Sequence, residues 1–313
     1  MRSKLSSNVT PHPEKAQPTY GAIATAHGYR TVDPLPSEQE LSDFYSQVYF
    51  QENPNRTYQN QYDDEELAHK RLRATLVVDV ALRHLAGPPA GRTLIDIGFG
   101  EGFELAAGQN AGLAVRGVDF GLEGLKRCNP ALEGIAEGRD PLAALREFGE
   151  SGLRFDVCIL KHVLEHVREP EAVMDLVLRI LKRDGIAVVT VPNDFSALQT
   201  EIFARGATET EYWFAPPQHL QYFNAENFGG FATACGFEIV DLVGDFPIEL
   251  YLLHPGSNYV SDRANGPAAH RARMGVDLFV AKRGIDRYAD LCRALLAAGL
   301  SRTMTAYLRP RQR

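Results

Sequence analysis

The residues best placed to do chemistry fall in one run, Asp96-Ile97-Gly98-Phe99-Gly100-Glu101-Gly102. A glycine-rich turn between a strand and a helix lets a ligand approach the backbone closely, and it presents helix N-terminal amides. Many nucleotide-binding folds use such a turn, so the spacing and the flanks must say which ligand it suits. The spacing is Gly98-x-Gly100-x-Gly102, and Phe103 stands where the dinucleotide pattern needs a further glycine. Asp96 and Glu101 place negative charge on both sides of the turn. A carboxylate there repels a pyrophosphate and suits a ligand with an ammonium group and no phosphate.

S-adenosylmethionine has that chemistry, and its carboxylate would meet the amides that open the following helix. Gly98, Phe99, Gly100 and Gly102 are therefore cofactor-binding candidates together with Asp96. Asp119 ends the next apolar run and is expected to accept both ribose hydroxyls. Phe120 would then lie against the adenine, and Asp140 is a candidate partner for the adenine amine. The alternative for either aspartate is a turn or helix-cap role.

Methyl transfer needs alignment and dry surroundings, and a hydroxyl acceptor also needs a base. His219, in Pro216-Pro217-Gln218-His219-Leu220-Gln221-Tyr222-Phe223, is the first candidate base; its alternative is packing near the helix that follows. His162 directly follows the apolar run 155–160 and should face the cofactor or the acceptor, with a supporting hydrogen bond as its alternative. Lys161 beside it is assigned to the cofactor pocket. Glu165 and His166 are read as structural. Tyr45, Tyr49, Tyr62, Tyr212, Trp213 and Tyr222 lie in lid-like or loop-like segments, and packing explains most of them. Tyr49, Asn193, Trp213 and Tyr222 are the substrate candidates. No spacing of Cys, His and acids forms a metal-ligand cluster, so no metal is expected.

These residues need a scaffold, and the pattern along the chain supplies one. Residues 1–18 read as a disordered tail and 19–89 as an N-terminal helical cap or lid. Ser37 and Glu40 make a capping box, and Asp64–Leu85 reads as a helix. Residues 90–250 alternate short apolar runs with helical patterns: strands at Thr93–Ile97, Leu113–Val118, Gly134–Glu137, Phe155–Leu160, Ile186–Val191 and Phe237–Val243. That alternation implies a Rossmann-like, mostly parallel sheet, with the ligand at the carboxyl ends of its strands. Residues 251–313 read as a loop insertion, a seventh strand at Val276–Ala281 and a helix at Asp286–Ala298.

The run Leu94–Gly102, the pair Val118-Asp119, and Phe155–Val167 resemble class I S-adenosylmethionine-dependent methyltransferases. Leu181-Lys182-Arg183-Asp184-Gly185 and Val191-Pro192-Asn193 continue the likeness. Within that superfamily the chain is most similar to a branch with a "vleHv.dp" segment, here Val163–Pro170. The likeness covers residues 90–245. The lead-in from Pro34 to Phe50 resembles members that modify sugars and surface glycans, although no cysteine precedes Cys128 and their zinc module is absent. The resemblance implies a seven-stranded sheet whose antiparallel last strand enters between the fifth and sixth.

The chain has 313 residues, of which 44% are hydrophobic, and a net charge of −7. That suits an elaborated α/β domain and disfavours a broad nucleic-acid surface. No run is long enough for a membrane span. Met1–Lys15 is polar and lacks the apolar stretch of a signal peptide, and the four cysteines are scattered, so a cytoplasmic protein is expected. The Asp286–Ala298 helix is read as core or as a homodimer surface.

The expected function is O-methylation of a sugar or glycan-type hydroxyl, using S-adenosylmethionine and a histidine base. N- or C-methylation of a small metabolite, such as an amino sugar, a quinone or a secondary metabolite, would use the same cofactor half. A nicotinamide-dependent oxidoreductase is disfavoured by Phe103 and Asp96. A non-catalytic methyltransferase-like binding subunit is the alternative from another class.

Overall fold

The computed structural model describes residues 20–44 and 62–311. The tail expected over 1–18 and the candidates Tyr45 and Tyr49 lie outside the described residues.

The N-terminal part opens with β1 (Gly21–Ala24) and β2 (Arg30–Asp33), followed by α1 (Glu38–Asp43) and α2 (Asp64–Arg83). The expected cap is thus not helical throughout. Residues 21–33 form an antiparallel pair, which β8 (Gln221–Tyr222) extends to three strands. Helix starts follow local chemistry. Ser37 with Glu40, and Asp63 with Glu66, form capping boxes that satisfy the first free amides of α1 and α2.

The central part runs β3 (Thr93–Ile97), α3 (Phe103–Asn110), β4 (Ala114–Asp119), α4 (Glu123–Cys128), β5 (Ala136–Gly138), α5 (Pro141–Glu150) and β6 (Phe155–Lys161). It continues with α6 (Pro170–Ile180), β7 (Leu181–Pro192), α7 (Ala197–Ala204), α8 (Phe228–Ala234) and β9 (Phe237–Val243). The C-terminal part holds α9 (Gly266–Ala281), α10 (Ile285–Ala297) and β10 (Thr303–Pro310). Helices α5 and α7 add to the set expected from sequence.

The main sheet has seven strands in the order β5-β4-β3-β6-β7-β10-β9, with β10 antiparallel to both neighbours. The expected architecture and the expected place of the antiparallel strand are both present, but not the residues assigned to that strand. Val276–Ala281 is the last stretch of α9, and the strand is Thr303–Pro310. A six-residue apolar run does not distinguish a strand from the end of a helix. Here Met274 and Asp277 face inward, while Val276 and Phe279 are exposed, a helical alternation. β10 reads as a polar end because Thr303, Thr305, Arg309 and Pro310 interrupt its apolar residues, yet Met304–Leu308 is fully buried between β7 and β9.

Both faces of the sheet are covered, which is why its central strands are almost continuously apolar. Ile95, Ile97, Cys158, Leu160, Val189 and Val191 pack with α5, α6 and α8. Leu94, Val157, Ile159, Ile186 and Val188 pack with α2, α3 and α10. Successive residues on one strand thus serve opposite layers. This leaves the carboxyl ends of β3, β4, β6 and β7 as the polar edge on which a site can be built. Among the described residues, no helix is long and apolar enough to cross a membrane.

Candidate active site

A cavity of about 750 Å³ opens at that edge. Its floor is the turn after β3. Gly98, Gly100 and Gly102 have φ of 75°, 55° and 75°, in the left-handed region that favours glycine. A side chain at Gly102 would also run into Leu125 of α4. The turn therefore stays open to a ligand while α4 packs tightly behind it.

Asp96 is 1% exposed, and its Oδ2 has no hydrogen-bond partner. Burial, with the nearby charges of Glu104 and Asp119, pushes its pKa well above the ordinary carboxylate range, against the pull of Lys161. A buried polar atom left unpaired costs about 1–3 kcal/mol, so this oxygen fits a cationic ligand group that the fold does not itself supply. Lys161 cannot fully serve Asp96, because its Nζ lies 2.5 Å from Glu104 Oε1. Burial opposes ionisation of Glu104, but Lys161 outweighs it and holds that carboxyl below its usual range.

Glu101 differs from the expectation. Its charge is already matched by Lys70, at 2.8 Å, and its other oxygen accepts from Tyr62 at 2.5 Å. Lys70 also lies 4.4 Å from the centre of the Tyr62 ring. Of the two acids flanking the turn, Asp96 alone remains open to a cation. Asp119 Oδ2 accepts from the Gly100 amide at 2.7 Å, so this carboxylate braces the turn; burial still raises its pKa.

The opposite wall carries histidines. His162 follows β6 with φ of 55°, a strained conformation that costs a non-glycine residue about 1 kcal/mol or more. Its Nδ1 lies 2.9 Å from Glu165 Oε1. Glu165 is fully buried. Burial opposes its ionisation, but the hydrogen bond and charge of His162, helped by His166 and His219, bring its pKa down to about 2. The carboxylate thus fixes the Nδ1–H tautomer and turns His162 Nε2 outward.

His166 Nδ1 lies 2.7 Å from the Gln218 carbonyl. His219 is lowered to about 4, by burial first and then by the charge of His166. Its Nδ1 has no hydrogen-bond partner and lies 3.9 Å from Asp194 Oδ2, which is also unpaired. Glu165, His166 and His219 bring one ligand atom each within 4.8 Å of one another, a grouping able to hold a metal ion. The sequence hides this grouping, because His219 joins it from a distant loop.

The structure thus gathers Asp96, Gly98, Phe99, Gly100, Lys161, His162 and His219 around one cavity, with Gly102 and Asp119 bracing the turn. Other candidates sit elsewhere. Phe120 is 73% exposed and does not line the cavity. Asp140 caps α5 through the amides of Leu142 and Ala143. Asn193 is buried, bonded to the Ser301 carbonyl and the Ala225 amide. Trp213 is buried among Phe195, Phe203 and Tyr212. Tyr222 is also buried; its hydroxyl donates to the His219 carbonyl at 2.9 Å and accepts from the Ala215 amide, which fixes the loop bearing His219. Sequence reasoning missed Glu104, Asp194, Arg302 and the cavity-lining residues of α2 and α9. Glu165 had a signal in its position three residues after His162, but Arg302 had none.

An uncharacterized methyltransferase of Mycobacterium tuberculosis is 29% identical over 150 residues, 48% of this chain and 54% of that protein. A ubiquinone biosynthesis O-methyltransferase of Caulobacter vibrioides is 29% identical over 166 residues, 51% of this chain and 64% of that protein. The chain spans about half the length of the mycobacterial relatives it matches. Among solved structures, it is similar to the 1,6-didemethyltoxoflavin-N1-methyltransferase of Burkholderia thailandensis, with 14% identity and a TM-score of 0.49. That alignment covers 96% of this chain and 99% of the other. The model of the methyltransferase domain matches residues 60–242, more than half of the chain, and the chain belongs to that family.

Proposed function

We propose that this protein transfers the methyl group of S-adenosylmethionine to a hydroxyl of a sugar or glycan-type acceptor, with His162 as the proton acceptor. The observation that carries the reading is the unpaired Asp96 Oδ2, buried beside a turn of three left-handed glycines. Asp96 would hold the ammonium group of the cofactor, Asp119 its ribose hydroxyls, and the amides opening α3 its carboxylate. When bound, the cofactor supplies a sulfonium methyl, an electrophile with a good leaving group. The chain's own residues then do two things. Lys161 and Glu104 fix the charge beside Asp96, and His162 Nε2 takes the acceptor's hydroxyl proton while Glu165 stabilises the imidazolium. Oxygen as the acceptor atom is supported by the name of the Caulobacter relative. A sugar-type acceptor is supported by the lead-in resemblance.

Labelled methyl transfer tests this. The chain is incubated with methyl-labelled S-adenosylmethionine and panels of sugars, quinols and amino sugars. Label is expected in an ether on a hydroxyl-bearing acceptor. His162→Ala is expected to lower the rate by about 10²–10⁴-fold with little change in cofactor affinity. Label found only on nitrogen or carbon overturns the acceptor assignment, and an undiminished rate in His162→Ala removes the base.

One observation favours a second reading of the same wall. A divalent cation held by Glu165, His166 and His219 would lower the pKa of the acceptor hydroxyl directly. Dialysis against a chelator separates the two: activity survives with His162 as base and is lost, then restored by added metal, if the cation acts.

A further inference from the structure

The cavity has a third wall, built by α2 and α9, to which the proposed function gives no role. It carries two arginines, Arg73 on α2 and Arg273 on α9. Each is one helical turn from the hydrogen bond that joins the two helices, between His69 Nε2 and Asp277 Oδ2 at 2.8 Å. The arginines are therefore anchored on opposite helices at a fixed crossing.

Their hydrogen-bonding capacity is mostly unused. A guanidinium has five N–H donors. Arg73 makes one bond, from Nη1 to the Tyr288 hydroxyl at 3.3 Å. Arg273 makes one, from Nη2 to His270 Nδ1 at 2.8 Å, and its Nε is buried with no partner. Among the described residues, no carboxylate lies within 4.0 Å of either guanidinium. The acids nearby are engaged elsewhere: Asp277 with His69, Asp194 with Arg302, and Asp245 Oδ1 with the Thr303 amide. Asp245 reaches Arg73 only as a longer-range charge. His270 is itself held neutral, burial and the Arg273 charge lowering it to about 4, so it orients Arg273 without competing for an anion.

Two half-buried guanidiniums with most of their donors unpaired, one of them with a buried Nε that has no partner, are costly unless something completes them. We infer that Arg73 and Arg273 together bind an anionic group of the acceptor, a carboxylate or a phosphoryl, in a charge-assisted clamp. The inference deepens the proposed function, resting on it for the identity of this cavity as the acceptor's site. It narrows the acceptor from a hydroxylated molecule to an acidic one, such as a uronic acid or a sugar phosphate.

The test reads the arginines directly and needs no known acceptor. The full chain loaded with S-adenosylhomocysteine is titrated with sodium acetate and, separately, with inorganic phosphate. The Nε–H resonances of arginine are followed by NMR, with Arg73 and Arg273 assigned from the spectra of Arg73→Lys and Arg273→Lys. The expected result is a saturable shift of both resonances with one shared dissociation constant, about 10 mM or tighter for at least one anion. Each lysine variant should weaken the shift at the remaining arginine by about fivefold or more. Preference for acetate assigns a carboxylate, and preference for phosphate a phosphoryl group. Shifts that never saturate, or that stay independent of the other arginine, overturn the clamp. If S-adenosylhomocysteine fails to bind, the methyltransferase reading falls by itself, and the same titration on the unloaded chain still decides whether the anion site exists.

Discussion

At the scale of single residues, the floor of the cavity holds a buried carboxyl that the folded chain leaves partly unpaired. Asp96 is buried, its pKa is raised by its surroundings, and one of its oxygens is unpaired. Replacing it with asparagine keeps the shape and removes the charge. Stability of the ligand-free protein should stay level or rise by about 1 kcal/mol, read as an unchanged or higher Tm. A large loss of stability would mean that Asp96 is structural and not held for a ligand. Asp96 was legible from sequence because charge and glycine spacing are local properties. The pairing of Glu101 with Lys70 was not, because Lys70 reaches it from another element. Asn193, Trp213 and Tyr222 were misplaced for a related reason: residue type suggests contact with a substrate, but their partners lie within the fold.

At the scale of elements, the turn after β3 and helix α4 must fit closely. Gly102 has φ of 75° and sits against Leu125, so Gly102→Ala adds backbone strain and a clash at one position. A destabilisation of about 1–3 kcal/mol is expected, with cofactor affinity reduced as the turn shifts. Unchanged melting and unchanged affinity would show that the turn adapts freely. The parallel strands were readable because burial on both faces makes them short apolar runs stopped by glycine or polar residues. The antiparallel strand was not. Thr303–Pro310 carries polar residues at both ends, while the end of α9 offers Val276 and Phe279 to solvent as part of an apolar run. Periodicity over six residues favours the wrong element, and only packing between β7 and β9 decides.

At the scale of the molecule, the cavity is closed by segments far apart in sequence. His69 and Asp277, 208 residues apart, hold α2 against α9. Arg302 arrives from the start of β10 to pair with Asp194 beside His219. These long-range meetings explain why the turn after β3 could be read from sequence and the wall built by α2, α9 and Arg302 could not. They also give the protein an acid-sensitive interior. His219 and His270 are both lowered to about 4, burial being the largest cause for each. Below an ordinary histidine pKa near 6.5 the unfolded chain takes up protons that these native residues refuse. Stability should therefore fall as pH drops from about 6.5 to about 4, by roughly 2–3 kcal/mol. His219 supplies most of it, since His270 is less buried and partly screened by solvent. Glu165, lowered to about 2, contributes stability that is present above about 4.5 and lost only in stronger acid. Urea denaturation at pH 7 and pH 5 reads the difference, and His219→Asn should flatten it. Equal stability at both values, or an unflattened slope in the variant, would contradict the burial assigned to these histidines.

The central claim is that the glycine turn and Asp96 hold S-adenosylmethionine, and calorimetric titration with S-adenosylhomocysteine tests it most directly. The account predicts saturable binding at one site in the wild-type chain, weakened about tenfold or more in Asp96→Asn, a change of about 1.4 kcal/mol or greater. Absence of binding to the wild-type chain, or equal affinity in Asp96→Asn, would contradict it.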